Sequence, residues 1–543
     1  MIRVEHRCAL VAFALLTLAV LLCVRPDTRR DALGGLDASA LRFPCLSYAP
    51  FRHRTLSPVT ESLRIPAEAL ERDLRQIASL TGCIRLYGTG NGLDQAPAIA
   101  ARLGLRVWLG AWLGSDGTRN RQEMELALAL AQQNRLHVDR LIVGSEVLLR
   151  GELPVAELGT LLDEARRRSP VPVAYADVWE TWLRERHALI ARVDEAVIHV
   201  LPYWEDHPVG ADHALEHVVQ TVARMRASLA PLPVVLGETG WPAAGRRRGP
   251  AQPGVTEQTR FLRELLLKQA MLPLPVNVIE AFDQPWKASL EGMAGSAWGV
   301  LTADGEPRYR QAGEAVERLP GPLRALSATI GALLLLGVHG WRAGVSIRPG
   351  TSPWAHAWAT LAALSGGASL GVLSAGSASD LALLAPYTAG WWWRALGLAV
   401  AMSWAALEVL SLCACLARVF PAGDAALGPA GCEGRGMGRL RGAALAAVTA
   451  YALVLVVDGR YVDLAWPLLA AGVVPRGLQR LLSCQASPAS PWAGAGAAAL
   501  VLLAMAVLWR EGLGNTEALA VGGLMMILAM SSLRRDRTGS QGP

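Results

Sequence analysis

Several absences narrow the reading of this 543-residue chain before any motif is considered. Its eight cysteines form no C-x-x-C pair and no Cys/His ligand spacing, so metal binding is unsupported and none is expected. No G-x-G-x-x-G or P-loop follows the first predicted strand. That removes the phosphate turn of a nucleotide-binding doubly wound sheet, and no cofactor is expected. There is no Q-x-x-R-W stretch and no evident cytoplasmic catalytic domain, which argues against a processive nucleotide-sugar synthase unless a separate partner supplies one. Charge is sparse, at 18% of residues against 52% hydrophobic, too apolar for a wholly soluble protein. Lysine is almost missing, with only Lys268 and Lys287. The net charge of +6 therefore rests on arginine, which gathers around apolar segments rather than on one soluble face, so no nucleic-acid partner is expected.

Apolar segments lie at both ends. Cys8 to Val24 is an unbroken apolar run preceded by Arg3 and Arg7 and followed by charged residues rather than an A-x-A site. It reads as an uncleaved anchor with a cytoplasmic amino terminus. After Pro320, Ala, Leu, Gly and Trp dominate, and seven spans are predicted: 323–341, 354–373, 391–416, 440–457, 462–474, 492–509 and 516–533, the fifth short and interrupted by Pro467. Alternation puts the middle of the chain outside and the tail inside. Most flanking arginines, among them Arg342, Arg348, Arg418, Arg435, Arg439, Arg441, Arg476 and Arg480, then fall on the cytoplasmic side, as the positive-inside rule requires. Trp354, Trp391, Trp392, Trp393 and Trp509 read as interfacial anchors. Glu408 and the Asp458–Tyr461 turn carry the few charges near or within spans, and a substrate path, a loop turn or a bundle-interior contact accounts for them. The implied domains are 1–30, 31–320, 321–535 and a tail of 536–543, in a multi-pass membrane protein whose middle domain faces away from the cytoplasm.

Between about residues 42 and 318, short apolar runs alternate with longer amphipathic ones, the βα repetition of a parallel TIM-type (β/α)8 barrel. Eight strands are predicted, at 44–49, 83–88, 106–112, 140–146, 171–177, 196–203, 234–238 and 276–282, with helices at 67–80, 121–133, 155–167, 211–229 and 256–271 between them. Cys45 and Cys83 fall near the starts of two neighbouring strands. A bridge between them is conceivable outside the cytoplasm, but buried free thiols are the expectation.

Two strands end alike. Ile142-Val143-Gly144-Ser145-Glu146 and Val235-Leu236-Gly237-Glu238 each deliver one carboxylate through a glycine to the carboxyl-terminal lip, where parallel barrels carry their chemistry. As the fourth and seventh strands of a closed barrel, they face one another across its mouth. Cleavage of a glycosidic bond needs such a pair, one carboxyl to protonate the leaving oxygen and one carboxylate to attack or to activate water.

Val143-Gly144-Ser145-Glu146-Val147, Gly237-Glu238-Thr239-Gly240-Trp241-Pro242 and Ile279-Glu280-Ala281-Phe282-Asp283-Gln284-Pro285-Trp286-Lys287 together resemble the signatures of glycoside hydrolase family 17, most closely its bacterial membrane-bound members. The resemblance implies a retaining endo-1,3-β-glucanase or β-1,3-glucanosyltransferase, with Glu146 as acid/base, Glu238 as nucleophile, and the two pKa values split so that one carboxyl stays protonated. It departs from the pattern at Ser145, where relatives carry Asn. The family uses an Arg and a Tyr near the nucleophile, matched here by Arg85 and Tyr87. Tyr48, Tyr203 and Trp241 are further candidates for sugar contact at strand ends, and Glu280, Asp283, Trp286, Lys287 and Glu291 form a third arm of the cleft. The implied partners are a β-glucan and the lipid bilayer, with a separate glucan synthase suggested by the tethered context. A nonhydrolytic glucan-binding or export component is the rival reading.

Overall fold

The computed structural model describes residues 37–309 except 39, 54, 61 and 62, together with 30–31, 312, 315–316, 321–346, 353–383, 389–419, 435–459, 462, 464, 466–481 and 493–533. The predicted amino-terminal anchor with its flanking Arg3 and Arg7, the carboxy-terminal tail, and Arg460 and Tyr461 lie outside the described residues, as do the side chains of Trp354, Trp391, Trp392 and Trp393. The chain divides into two compact units, residues 29–317 and residues 1–28 with 318–543.

The first unit is a closed barrel of eight parallel strands in sequential order. The strands are β1 (Leu46–Ser47), β2 (Cys83–Arg85), β3 (Arg106–Ala111), β4 (Val138–Ser145), β5 (Val173–Val178), β6 (Glu195–His199), β7 (Val234–Thr239) and β8 (Val276–Val278). Val278 pairs with Leu46 and shuts the ring. All eight predicted strands are present, and a two-residue antiparallel ribbon pairs Arg30–Asp31 with Ala315–Val316 outside the barrel.

Alternation along the strands sorts side chains into two layers. Cys45, Cys83, Trp108, Ile142, Ala174, Ala176, Val197 and Val235 pack together inside the ring, while the other face of each strand joins the larger core beneath the helices. Helix α1 (Ala67–Ala78) buries Leu70, Leu74 and Ile77, and α6 (Ala211–Leu229) buries Leu215, Val218, Val222 and Met225. That three-to-four spacing is the stripe expected of a helix covering a sheet. Between them come α2 (Ala96–Arg102), α3 (Gly117–Gln133), α4 (Val155–Arg168) and α5 (Trp179–Leu189); α7 (Val255–Leu267) and α8 (Ala288–Ser296) complete the unit. Asp116 caps α3 by accepting from the Thr118 and Arg119 amides.

The expectation of free thiols at Cys45 and Cys83 is corrected. The parallel register places Leu46 beside Ile84, which brings the preceding cysteines side by side with Cα atoms 4.5 Å apart, and they are joined as a disulfide.

The second unit contains, among the described residues, seven helices: α9 (Gly321–Ser346), α10 (Pro353–Leu383), α11 (Ala389–Val419), α12 (Arg435–Asp458), α13 (Trp466–Leu481), α14 (Ala493–Glu511) and α15 (Thr516–Ser532). Two segments, Ala395–Leu416 and Gly494–Glu511, are long and apolar enough to cross a membrane, and four shorter apolar ones accompany them. The fifth predicted span is displaced along the chain. Its helix begins at Trp466, so Pro467 falls in the first turn, where a missing N–H breaks no helical bond, and Pro475 lies inside instead.

Glu408 on α11 makes a bundle-interior contact. It is wholly buried, accepts from Arg441 at 2.8 and 2.9 Å, from the Gln479 amide at 3.1 Å and from the Trp404 indole at 3.2 Å, and lies 3.6 Å from Arg476. Arg476 in turn donates to Ser531 and Ser532. Four helices, α11, α12, α13 and α15, are tied through one carboxylate.

Candidate active site

Both lip carboxylates come from strand ends, and the backbone aims them. β4 stops at Ser145, and Glu146 follows with a left-handed φ of 57°, after Gly144 at φ 80°. A non-glycine residue in that region is strained, and here the strain turns the carboxyl out of the strand direction and over the mouth. The Glu146 amide still bonds to Ala176 O, which fixes it against β5. Glu238 stays within β7, where register shifts against both neighbouring strands reorient the end of the strand.

Between the two stands a residue that sequence reasoning passed over, His199 at the end of β6. Its Nδ1 is 2.7 Å from Glu146 Oε1 and its Nε2 is 3.6 Å from Glu238 Oε1. One ligand-type atom from each of the three residues falls within 4.8 Å of the others. Arg85 Nη1, which can only donate, lies 3.2 Å from His199 Nε2, and this assigns the ring proton to Nδ1, facing Glu146. The available signal was that His199 is the one ionisable side chain in the apolar run Ala196-Val197-Ile198-His199-Val200-Leu201.

Arg85 organises the floor. Its Nη1 donates to Glu238 Oε1 at 3.0 Å and to Gly237 O at 2.8 Å, its Nη2 donates to Ser145 Oγ at 3.1 Å, and its guanidinium lies 4.7 Å from the centre of the Tyr87 ring. Tyr87 donates to Ser47, which also receives Asn277, so the ring is held by β1 and β8. Gly237 leaves the wall bare at this level. A Cβ there would meet Val197 Cγ1 at 2.2 Å and His199 Cδ2 at 3.1 Å.

The third arm also reaches the pair. Lys287 Nζ donates to both Glu280 oxygens at 3.1 and 3.3 Å. Burial pushes the Glu280 carboxyl up to about 7 against the pull of Lys287. Burial likewise raises Glu291, with the charges of Glu146 and Glu238 adding to the rise against the pull of Lys287. Glu146 itself behaves differently. Burial pushes its carboxyl up, but the hydrogen bond and electrostatic pull of the His199 N–H and the charges of Arg150 and Arg85 outweigh it and leave the group below the ordinary glutamate value. The free site thus holds Glu146 ionised. Asp177 on β5, which accepts from Tyr175 and the Val178 amide, is pushed by burial to about 6.

Of the predicted positions, Glu146, Glu238, Ser145, Arg85, Tyr87, Glu280, Lys287 and Glu291 come together at the mouth. Four do not. Tyr48 points the opposite way from Ser47, out of the ring, and donates to Asp73 on α1. Tyr203 and Trp241 are fully buried in an aromatic cluster with Trp204 and Trp298, their polar atoms bonded to Arg246 O and Gln252 O. Asp283 pairs with Arg308 and accepts from the Gly299 amide, a loop-fixing role. The thirteenth position, Trp286, belongs to neither group: it is part-buried and donates to Gln284.

Residues 45–299 match the model of the BtgE/BtgC glycoside hydrolase domain. A glucan 1,3-beta-glucosidase of Saccharomyces cerevisiae is 23% identical over 260 residues, covering 44% of this chain and 83% of the relative, and one of Schizosaccharomyces pombe is 28% identical over 230 residues, covering 40% and 72%. Among solved structures, an active-site mutant of a Rhizomucor miehei beta-1,3-glucanosyltransferase in complex with laminaritriose aligns at 23% identity and a TM-score of 0.44, covering 51% of this chain and 99% of that one. Over residues 45–299 the barrel is thus similar to a glycoside hydrolase domain of the BtgE/BtgC type.

Proposed function

We propose that the barrel is a retaining glycosidase or transglycosylase acting on β-1,3-glucan, carried by a membrane-embedded helical unit and facing away from the cytoplasm. One observation carries the mechanism: carboxylate oxygens of Glu146 and Glu238 lie within 4.8 Å of one another. Double displacement needs carboxyl groups about 5–5.5 Å apart, whereas an inverting site leaves about 6.5–9.5 Å for a water between them.

Glu238, oriented by the hydrogen bond from Arg85, attacks the anomeric carbon. The glycosidic C–O bond breaks, Glu146 gives its proton to the departing oxygen, and a glucosyl ester forms on Glu238. Glu146 then takes a proton from water or from a sugar hydroxyl, whose oxygen displaces Glu238; water gives hydrolysis and a hydroxyl gives transfer. Glu146 must first acquire a proton, and its side chain is 29% exposed in the free site. A glucan lying over it removes that water, strengthens the burial that already opposes ionisation, and tips the carboxyl toward its acid form. The substrate class follows the names of the related glucan 1,3-beta-glucosidases.

The Cys45–Cys83 disulfide supports an oxidising compartment for the barrel, and the two long apolar helices support anchoring. A separate glucan synthase would be the partner that supplies polymer to such a tethered enzyme. The test is to incubate the detergent-solubilised protein with laminari-oligosaccharides and read products by mass, linkage and the first-formed anomer. Retained β-configuration in shorter or longer products supports the reading. Inverted anomers, or no product from a folded protein, overturn it.

A further inference from the structure

We propose that Trp112, at the lip of β3, is the platform of an additional glucosyl-binding subsite on the acid side of the cleft. This rests on the reading of the cleft as a glucan site.

Alternation along β3 gives the direction of the ring. Leu109, Ala111 and Leu113 belong to the core under the helices, whereas Trp108 belongs to the layer inside the barrel. Trp112, four residues beyond Trp108, continues that inner face past the last paired residue of the strand, where the ring opens to solvent. Its neighbours Ala111 and Leu113 are buried, yet Trp112 is 46% exposed.

The indole is nevertheless fixed in place. The Arg150 guanidinium lies 4.4 Å from the ring centre and covers one face. Arg150 is itself held by Glu152 at 2.7 and 2.9 Å, by Leu113 O at 3.1 Å and by Ser145 O at 2.5 Å. The Trp112 amide donates to Glu123, which also holds Thr89. A large apolar surface kept partly bare, with one side packed on a pinned side chain, has lost little freedom left to lose on binding.

A β-linked glucosyl unit suits that surface. Its hydroxyls are equatorial, so its two faces present axial C–H groups that stack on an aromatic plane, while the rim of hydroxyls stays in water. The bond from Arg150 to Ser145 O joins the platform to the peptide that carries Glu146. A sugar seated on Trp112 would therefore adjoin the unit whose glycosidic oxygen Glu146 protonates.

The test uses the full chain in detergent with Glu238→Gln present, so that binding is read without turnover. Calorimetry with laminari-oligosaccharides of two to six units is compared with and without Trp112→Ala. Affinity for the longer ligands should fall roughly tenfold, from loss of stacking and buried area, with little change for the shortest, and Trp112→Phe should recover most of the loss. Equal affinities at every length overturn the inference, as does an equal loss at every length that Trp112→Phe leaves unrecovered, or the absence of any binding. Product formation by the unsubstituted protein is the separate control. An inactive protein whose binding depends on Trp112 sinks the catalytic reading alone, and an active one indifferent to Trp112→Ala sinks the platform alone.

Discussion

Glu408 in the helical unit and Glu146 at the barrel mouth are both carboxylates held by basic side chains, but their surroundings leave them different amounts of freedom. Glu408 has no exposed surface, and its oxygens are shared among Arg441, Gln479 and Trp404, with Arg476 beside them. Glu146 receives one hydrogen bond from His199, keeps 29% of its side chain in water, and sits on a strained backbone. A closed network that satisfies its own charge fixes helices to one another; an open one is ready for a further partner. The contrast separates structural charge from chemical charge within one chain.

The contrast can be broken by substitution. The largest effect is expected of Glu238→Gln, which keeps an oxygen for Arg85 but loses the nucleophile. kcat should fall by ~10⁴-fold or more with the melting temperature nearly unchanged, measured by product release and thermal unfolding of the same preparation. Glu408→Ala should do the reverse. It leaves Arg441 and Arg476 buried beside no carboxylate, so the helical unit should lose about 3–5 kcal/mol of stability, read as an earlier unfolding transition in detergent.

A smaller loss is expected of Cys45→Ser, about 2–4 kcal/mol, confined to the barrel and reproduced in the unsubstituted protein by a reducing agent. The smallest is expected of His199→Gln, and it sharpens the comparison most. Without the hydrogen bond and electrostatic pull of the His199 N–H, leading causes that hold the Glu146 carboxyl down disappear, and its pKa rises. Because the first step needs that carboxyl protonated, the alkaline limb of the kcat/KM profile should move to higher pH, with the maximum lowered by roughly a hundredfold or less. An unchanged limb would show that His199 does not govern Glu146.

The barrel was legible because its strands are short apolar runs bounded by Gly and Pro, and because Glu146 and Glu238 each follow a glycine at the end of such a run. What failed was direction. Tyr48 and Ser47 are adjacent, and a position near a strand end does not by itself say which of them looks into the ring; Arg85 and Tyr87, two apart, share the inner face. Tyr203 and Trp241 lie beyond their strands in loops whose packing no periodicity describes. His199 was read as one more strand residue because its neighbours are apolar. The Cys45–Cys83 bond needed the inter-strand register, which pairs residues 38 apart and has no local signature.

Gly237 bears on how this site could change. The space that a side chain there would fill is occupied by Val197 and His199, beneath the carboxylates. Variation among the rim residues can alter which sugar is gripped and still leave the reacting groups where they are. Any heavier residue at Gly237 must displace Val197 and crowd the imidazole that contacts both acids. A directed-evolution library aimed at new substrates should therefore keep this one position invariant, since the missing atom is what holds the chemistry constant while specificity drifts around it.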